Sequence, residues 1–402
     1  MNGFIVMHRK TMQIRQLCLT FAYLLQLLAA QQVFSSPWIP QSDDEVIATL
    51  PNNYNTDSAE IKELRDKLIA DPNNERVALA LCQHYLHIAK ATQDSRYYGY
   101  IQAILQPWWD TPQPPIAVLE MRVKVKQYFH AFTSALDDLT QLIHIKPQYA
   151  QAWLNGATIA QTLGDYATAN QFCTGLRRQD FLLWRICQSH LYSVTGSAAY
   201  SYGQLQNLSS MIPSYQKDLR IWLTVVLGDI ATQLNYTDQA ERHYQQALAL
   251  SPDNTYLLGN YSDFLLQQNK PKRVKTLLKN KTHIDSLLLR LTLAEKTLNE
   301  KTYQKHIRTL KTRYQHYYRR GDIPHYREEI RFYLYLSHNP QRALRLAQQN
   351  WQNAKTPIDT RLLLEAAIAQ QASAVILEVK RWLDKTQLED KRIDALLRQE
   401  QG

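Results

Sequence analysis

An all-α fold, an α-solenoid of stacked helix pairs, is predicted by three observations. Packing residues recur at a spacing of 34 over several units, each a helix, a turn and a second helix. Only 11 glycines in 402 residues argue against a strand-and-turn protein, and 45% apolar residues suffice for a continuous core. Runs alternating between apolar and polar, the mark of half-buried strands, are nearly absent. Repetition replaces the several domains this length would suggest with one elongated array and its continuation.

Residues 1–35 stand apart. Arg9, Lys10 and Arg15 precede an apolar run over 17–30, long enough for a signal-peptide core and short for a membrane span. Val33 and Ser35 fit the cleavage-determining sites, so cleavage near Ser35 and a periplasmic or otherwise extracytoplasmic location are expected. An uncleaved anchor is the alternative. Removing 1–35 takes away three positive charges and no negative ones, so +10 becomes +7. Residues 36–56 carry Pro37, Pro40 and Pro51 and read as an extended arm.

The repeat array is expected over 57–283. Asp57 and Ser58 cap a helix through Leu64 and Leu68. A first-helix pattern follows in Val77, Leu81, Cys82, Tyr85 and Ile88, with a partner helix over 97–105. Pro107, Pro112, Pro114 and Pro115 then make a stiff connector. The unit from Ile116 has Leu119, Val123, Ala135, Leu139 and Pro147 in register. At the centre stands 150–173, with Trp153, Gly156, Ala157, Ala160, Ala169 and Cys173. Its small residues admit a second backbone closely, and Gly164 suits the left-handed helix stop. A degenerate unit over 182–220 leads to one from Ile221, with Leu227, Gly228, Ala231, Ala240, Tyr244 and Ala247. The unit from Thr255 carries Leu258, Tyr261, Ser262, Leu265, Val274 and Leu278. Over 284–402 the template fades into a helical repeat-like region. It has a pair around His338-Asn339-Pro340, a helix opened by Pro357 and capped by Asp359, and a last helix whose polar face suits a solenoid cap.

The period and the W-x2-L-G-x2-Y template in 150–173 resemble the tetratricopeptide repeat superfamily. That resemblance implies a right-handed solenoid. The stretches DDEVIATLP, RYYGYIQAILQPWWD, YLLGNYSDFLL and ALRLAQQNWQ with TRLLLEAAIA resemble a family of exported bacterial repeat proteins, which implies a scaffold and no reaction. In such arrays Cys173, on a second helix, and Cys187, on the next first helix, are packed neighbours. A disulfide is one reading of this pair and two small buried residues the other.

No phosphate-binding, dinucleotide, nucleophile-elbow or zinc-protease motif occurs, so no catalytic residue, metal or cofactor is assigned. Cys82, His84 and His87 share one helix without a second ligand cluster and read as a core cysteine with two polar-face histidines. Residues 270–320 hold 15 Lys and Arg against three acids. Their patch, Lys301, Lys305, Arg308, Lys311 and Arg313, suits an acidic partner or an anionic membrane surface, nucleic acid being disfavoured outside the cytoplasm; otherwise it is a solvated face. First helices of such arrays line the concave side, which implies a peptide-binding groove. Its residues would be Glu120, Lys124, Gln127, Gln151, Leu154, Asn155, Thr158, Gln161, Trp222, Val225, Asp229, Gln233, Tyr256, Asn260, Asp263 and Gln267. A groove filled by the solenoid's own curvature or by a terminal helix is the alternative. The expected function is a non-catalytic protein- or peptide-binding scaffold of the bacterial periplasm or envelope. Its alternatives are an accessory to an envelope metal or small-ligand system, and a binder of an acidic partner through 270–320.

Overall fold

Helix follows helix along the chain, joined by short turns. The computed structural model describes residue 42 and residues 58–92, 94–320 and 325–401. Among these residues there are 21 α-helices and no strand. The readings made for 1–35 and 36–56 lie outside the described residues, Ser42 apart. The helices belong to one compact unit, Asp57–Gly402. First come α1 (Ala59–Ala70), α2 (Glu75–Thr92), α3 (Arg96–Ile104) and a single turn, α4 (Gln106–Trp109). Pairs follow: α5 (Ile116–Tyr128) with α6 (Phe132–Ile145), α7 (Ala150–Leu163) with α8 (Tyr166–Gly175), and α9 (Phe181–Val194) with α10 (Ala198–Ser209). Next are α11 (Lys217–Gln233) with α12 (Thr237–Leu250), α13 (Thr255–Gln267) with α14 (Pro271–Leu278), and α15 (Asp285–Thr297) with α16 (Thr302–Arg320). The chain ends in α17 (Tyr326–Arg331), α18 (Pro340–Trp351), α19 (Pro357–Ala369), α20 (Ser373–Thr386) and α21 (Lys391–Gln401). The architecture is an all-α solenoid.

Local chemistry explains the ends of these helices. Ser58, Asp165, Asp180 and Asn254 each accept a hydrogen bond from a backbone N–H of the first turn, satisfying a donor the helix leaves open. Thr356 and Asp359 form a reciprocal capping box behind Pro357. The first helices stop on left-handed residues: Gly164 at φ 76°, Asn235 at φ 60° and Asn269 at φ 53°.

Packing within a pair follows the small sites. A Cβ on Gly156 would lie 2.4 Å from the Phe172 ring, and one on Gly228 would lie 2.9 Å from that of Tyr244. In both pairs a glycine of the first helix accepts an aromatic side chain sixteen residues on. Cys173 is joined to Cys187 across α8 and α9, with Cα atoms 5.6 Å apart. Cys82 is buried, and burial pushes its thiol up to about 12.

One expectation needs correction. The proline connector contains the helical turn α4, and Arg122 holds it by donating to the carbonyls of Trp109, at 2.6 Å, and Thr111. Arg122 is itself buried against Asp138, so the connector is docked rather than merely stiff. The last helix follows the final pair, α19 and α20. It packs on α19 and buries Ile393, and the chain just before it returns to the turns of the array's middle. Glu389 donates its backbone N–H to Val194 O, and its carboxylate accepts from Ala198 N at 3.0 Å. Lys355 N donates to Thr162 O at 2.7 Å, and a Cβ on Gly164 would stand 3.1 Å from Trp382.

Candidate functional site: the closed concave cavity

Because the C-terminal helices return to the turns of α7, α9 and α11, the concave side becomes a cavity of about 800 Å³. First helices from α7 to α19 supply most of its lining, with Tyr166 of α8 and Tyr244 of α12, and Arg392 of α21 completes the wall. Leu154, Thr158, Gln161, Trp222, Val225, Asp229, Gln233, Tyr256, Asn260, Asp263 and Gln267 all face it. Glu120, Lys124, Gln127, Gln151 and Asn155 lie outside it. Gln151 instead donates to Asn155 at 2.8 Å, and Glu120 accepts from the Tyr149 hydroxyl.

Several of these cavity-lining residues are also bonded within the protein itself. Gln233 is buried and its amide donates to Ser193 O and Glu389 O, tying the array to the returning chain. Asp229 accepts from the hydroxyls of Tyr244, at 2.8 Å, and Tyr256, at 3.3 Å, and from the Asn260 amide. Asp263 pairs with Arg290 at 2.8 Å and with Arg331 at 2.9 Å. Trp222, Tyr256, Gln161 and Gln267 remain as open wall. Tyr256 is 63% exposed although its hydroxyl is anchored.

Electrostatics separates the two carboxylates. Burial pushes Asp229 up to about 6 despite its three hydrogen-bond donors. Burial would also raise Asp263, but the Arg290 and Arg331 guanidiniums outweigh it and hold that carboxyl below its usual range. His190, on the same wall, is pushed down to about 4 by burial and stands neutral. The folded Asp229 holds its proton more tightly than the unfolded one. Its contribution therefore favours folding fully below pH 3.8 and is lost as pH rises through about 6. Relative to Asp229→Asn, the wild type is expected to lose on the order of 2 kcal/mol across that window. Denaturant titrations of both proteins at its two ends measure this; parallel curves would contradict it.

The basic patch is divided. Lys301, Lys305, Arg308 and Lys311 are exposed on or just before α16. Arg313 is turned to the protein, donating to Asp285 at 2.5 Å and to Thr282 O. His84 stands 3.3 Å from Glu60. Sequence reading missed the cavity's arginines: Arg290, Arg327, Arg331, Arg361 and Arg392. A signal existed, since the first four lie on first helices, but the fading template beyond 284 hid that register.

Residues 225–254, within the pair α11 and α12, match the tetratricopeptide repeat family. No curated protein matches the chain. Among solved structures, the crystal structure of the APC/C hetero-tetramer Cut9-Hcn1 is similar at 14% identity and a TM-score of 0.39, over 76% of this chain and 52% of that one. A tetratricopeptide repeat protein from Parabacteroides merdae ATCC 43184 is similar at 12% identity and a TM-score of 0.34, over 77% of this chain and 99% of that one. The chain thus spans about half the length of the first of these. One unit of the chain, residues 225–254, thus matches a tetratricopeptide repeat and stands in a continuous series of helix pairs.

Proposed function

We propose that this protein is an exported, non-catalytic interaction scaffold of the bacterial envelope that holds a segment of a partner protein in its concave cavity. Tyr256 carries the reading. A large aromatic side chain is left 63% exposed on a concave wall while its hydroxyl is fixed by Asp229. Trp222 lies on the same wall, one helix pair earlier. Fixed aromatics lose little entropy on binding and dominate interface energies. Gln161 and Gln267 line the same cavity, and their amides would bond the backbone of an extended segment. Export rests on residues 1–35 and supplies the compartment in which to seek the partner.

The test is a partner captured from envelope extract. Trp222→Ala is expected to weaken its binding by about 2 kcal/mol or more while leaving helix content unchanged. A second reading has its own observation, the exposed Lys301, Lys305, Arg308 and Lys311 on the outer helix. It predicts binding that falls steeply with salt and with charge reversal at Lys305, Arg308 and Lys311. Wild-type affinity in Trp222→Ala with loss in the reversed set would move the site to that outer face.

A further inference from the structure

Donor supply rather than net charge singles out one side chain in the cavity wall. Four of its five guanidiniums are engaged. Arg290 and Arg331 share Asp263, Arg327 forks onto Asp359, and Arg392 forks onto Asp390. Asp359 and Asp390 are fully buried, so these forks are permanent parts of the wall. Arg361 differs. Its side chain is 12% exposed, and its Nε stands 3.4 Å from Glu365 without the alignment of a hydrogen bond. The Tyr335 hydroxyl donates to the other oxygen of that carboxylate, Glu365 Oε2. A guanidinium has five N–H donors, and leaving buried donors unmet is costly. Burial and the neighbouring Arg392 and Arg331 disfavour the charge on Arg361 and outweigh the favourable Glu365, so the site gains when an anion arrives.

We propose that the molecule filling the cavity carries an anionic group, a carboxylate or a phosphate, that seats on Arg361 with Arg331 and Arg392 on the same wall. The proposal rests on the cavity being the binding site and names the chemistry of what it holds. A cavity of about 800 Å³ suits one such head group together with an apolar body against Trp222 and Ile358. A planar fork is the geometry that receives two oxygens of either anion.

The test uses the full chain and simple anions. Melting is followed in sodium phosphate, in disodium succinate and in sodium chloride of equal ionic strength. At about 10 mM, phosphate or succinate is expected to raise Tm by roughly 1–3 °C over chloride. A shift with phosphate alone assigns a phosphate, and one with succinate alone a carboxylate. Arg361→Gln is expected to abolish the shift, whereas Lys279→Gln, at an exposed lysine away from the cavity, keeps it. If Arg361→Gln melts too low to read, Arg361→Lys retains the charge without the fork and is expected to lose at least half the shift. No anion-specific shift in the wild type, or an undiminished shift in the readable Arg361 variant, overturns the proposal. Failure here leaves the scaffold reading standing if a captured partner still depends on Trp222. A partner indifferent to Trp222, with the anion shift intact, would sink the scaffold reading alone.

Discussion

Asp359→Ala is expected to destabilise the protein by about 3 kcal/mol, the lower end of the range for breaking a buried ion pair, because the Arg327 side chain is 41% exposed and can be solvated in part. The Asp359 side chain has no exposure. It accepts from Arg327 Nε and Nη2, both at 2.7 Å, from Asn350 at 2.8 Å, and from Thr356 Oγ1 at 2.6 Å and N at 3.2 Å. One carboxylate thus caps α19, joins it to α17 and satisfies a buried amide of α18. Truncation strips the guanidinium of its charged acceptor, leaving it Thr356 Oγ1, takes the acceptor from the Asn350 amide and opens the capping box. Asp359→Asn keeps the shape but loses the charge and one set of acceptors, so it should fall between. Denaturant unfolding followed by circular dichroism measures both. A loss below about 1 kcal/mol in Asp359→Ala would mean that water replaces these bonds at little cost.

The second large effect is expected at the small sites of the repeat. In Gly228→Trp even the first atom of the new side chain would meet Tyr244 at 2.9 and 3.0 Å. Tyr244 cannot yield cheaply: it is 2% exposed, and its hydroxyl is bonded to Asp229 and placed 3.2 Å from that of Thr232. Overpacking of this kind costs about 1–3 kcal/mol, and the immobile neighbour puts this site at or above the upper end. Ala240→Trp, at a residue with no exposure, is expected to behave alike. Gly203 is the control, since a Cβ there meets nothing within 4 Å. Gly203→Ala, inside α10, should gain about 0.5–1 kcal/mol from helix propensity. Thermal melts unchanged by Gly228→Trp would show that the pair α11 and α12 is not packed in the register described.

What the sequence by itself determined is everything that depends on near neighbours. The 34-residue spacing located the small sites because Gly156 and Gly228 must each admit an aromatic ring from the partner helix. Helix limits were legible at Ser58, Asn254, Pro357 and Asp359, where capping chemistry is local. A repeat touches chiefly the repeats beside it, so such contacts leave a periodic trace. Only the tertiary structure decided how the array closes. Glu389 meets Ala198 at a separation of 191 residues, and the Gln233 amide reaches Glu389 across 156. These contacts depend on the small rotation of each pair accumulated over the solenoid, which no local pattern of residues encodes. The same accumulation ties Gln233 to Glu389, whereas Asp229 and Asp263 are engaged by side chains of their own and following pairs, which the spacing of small residues did not reveal. It also carried Arg361, from the stretch where the template had faded, into the cavity that Trp222 lines, since residues so far apart in the chain share a wall only when the whole curve is complete.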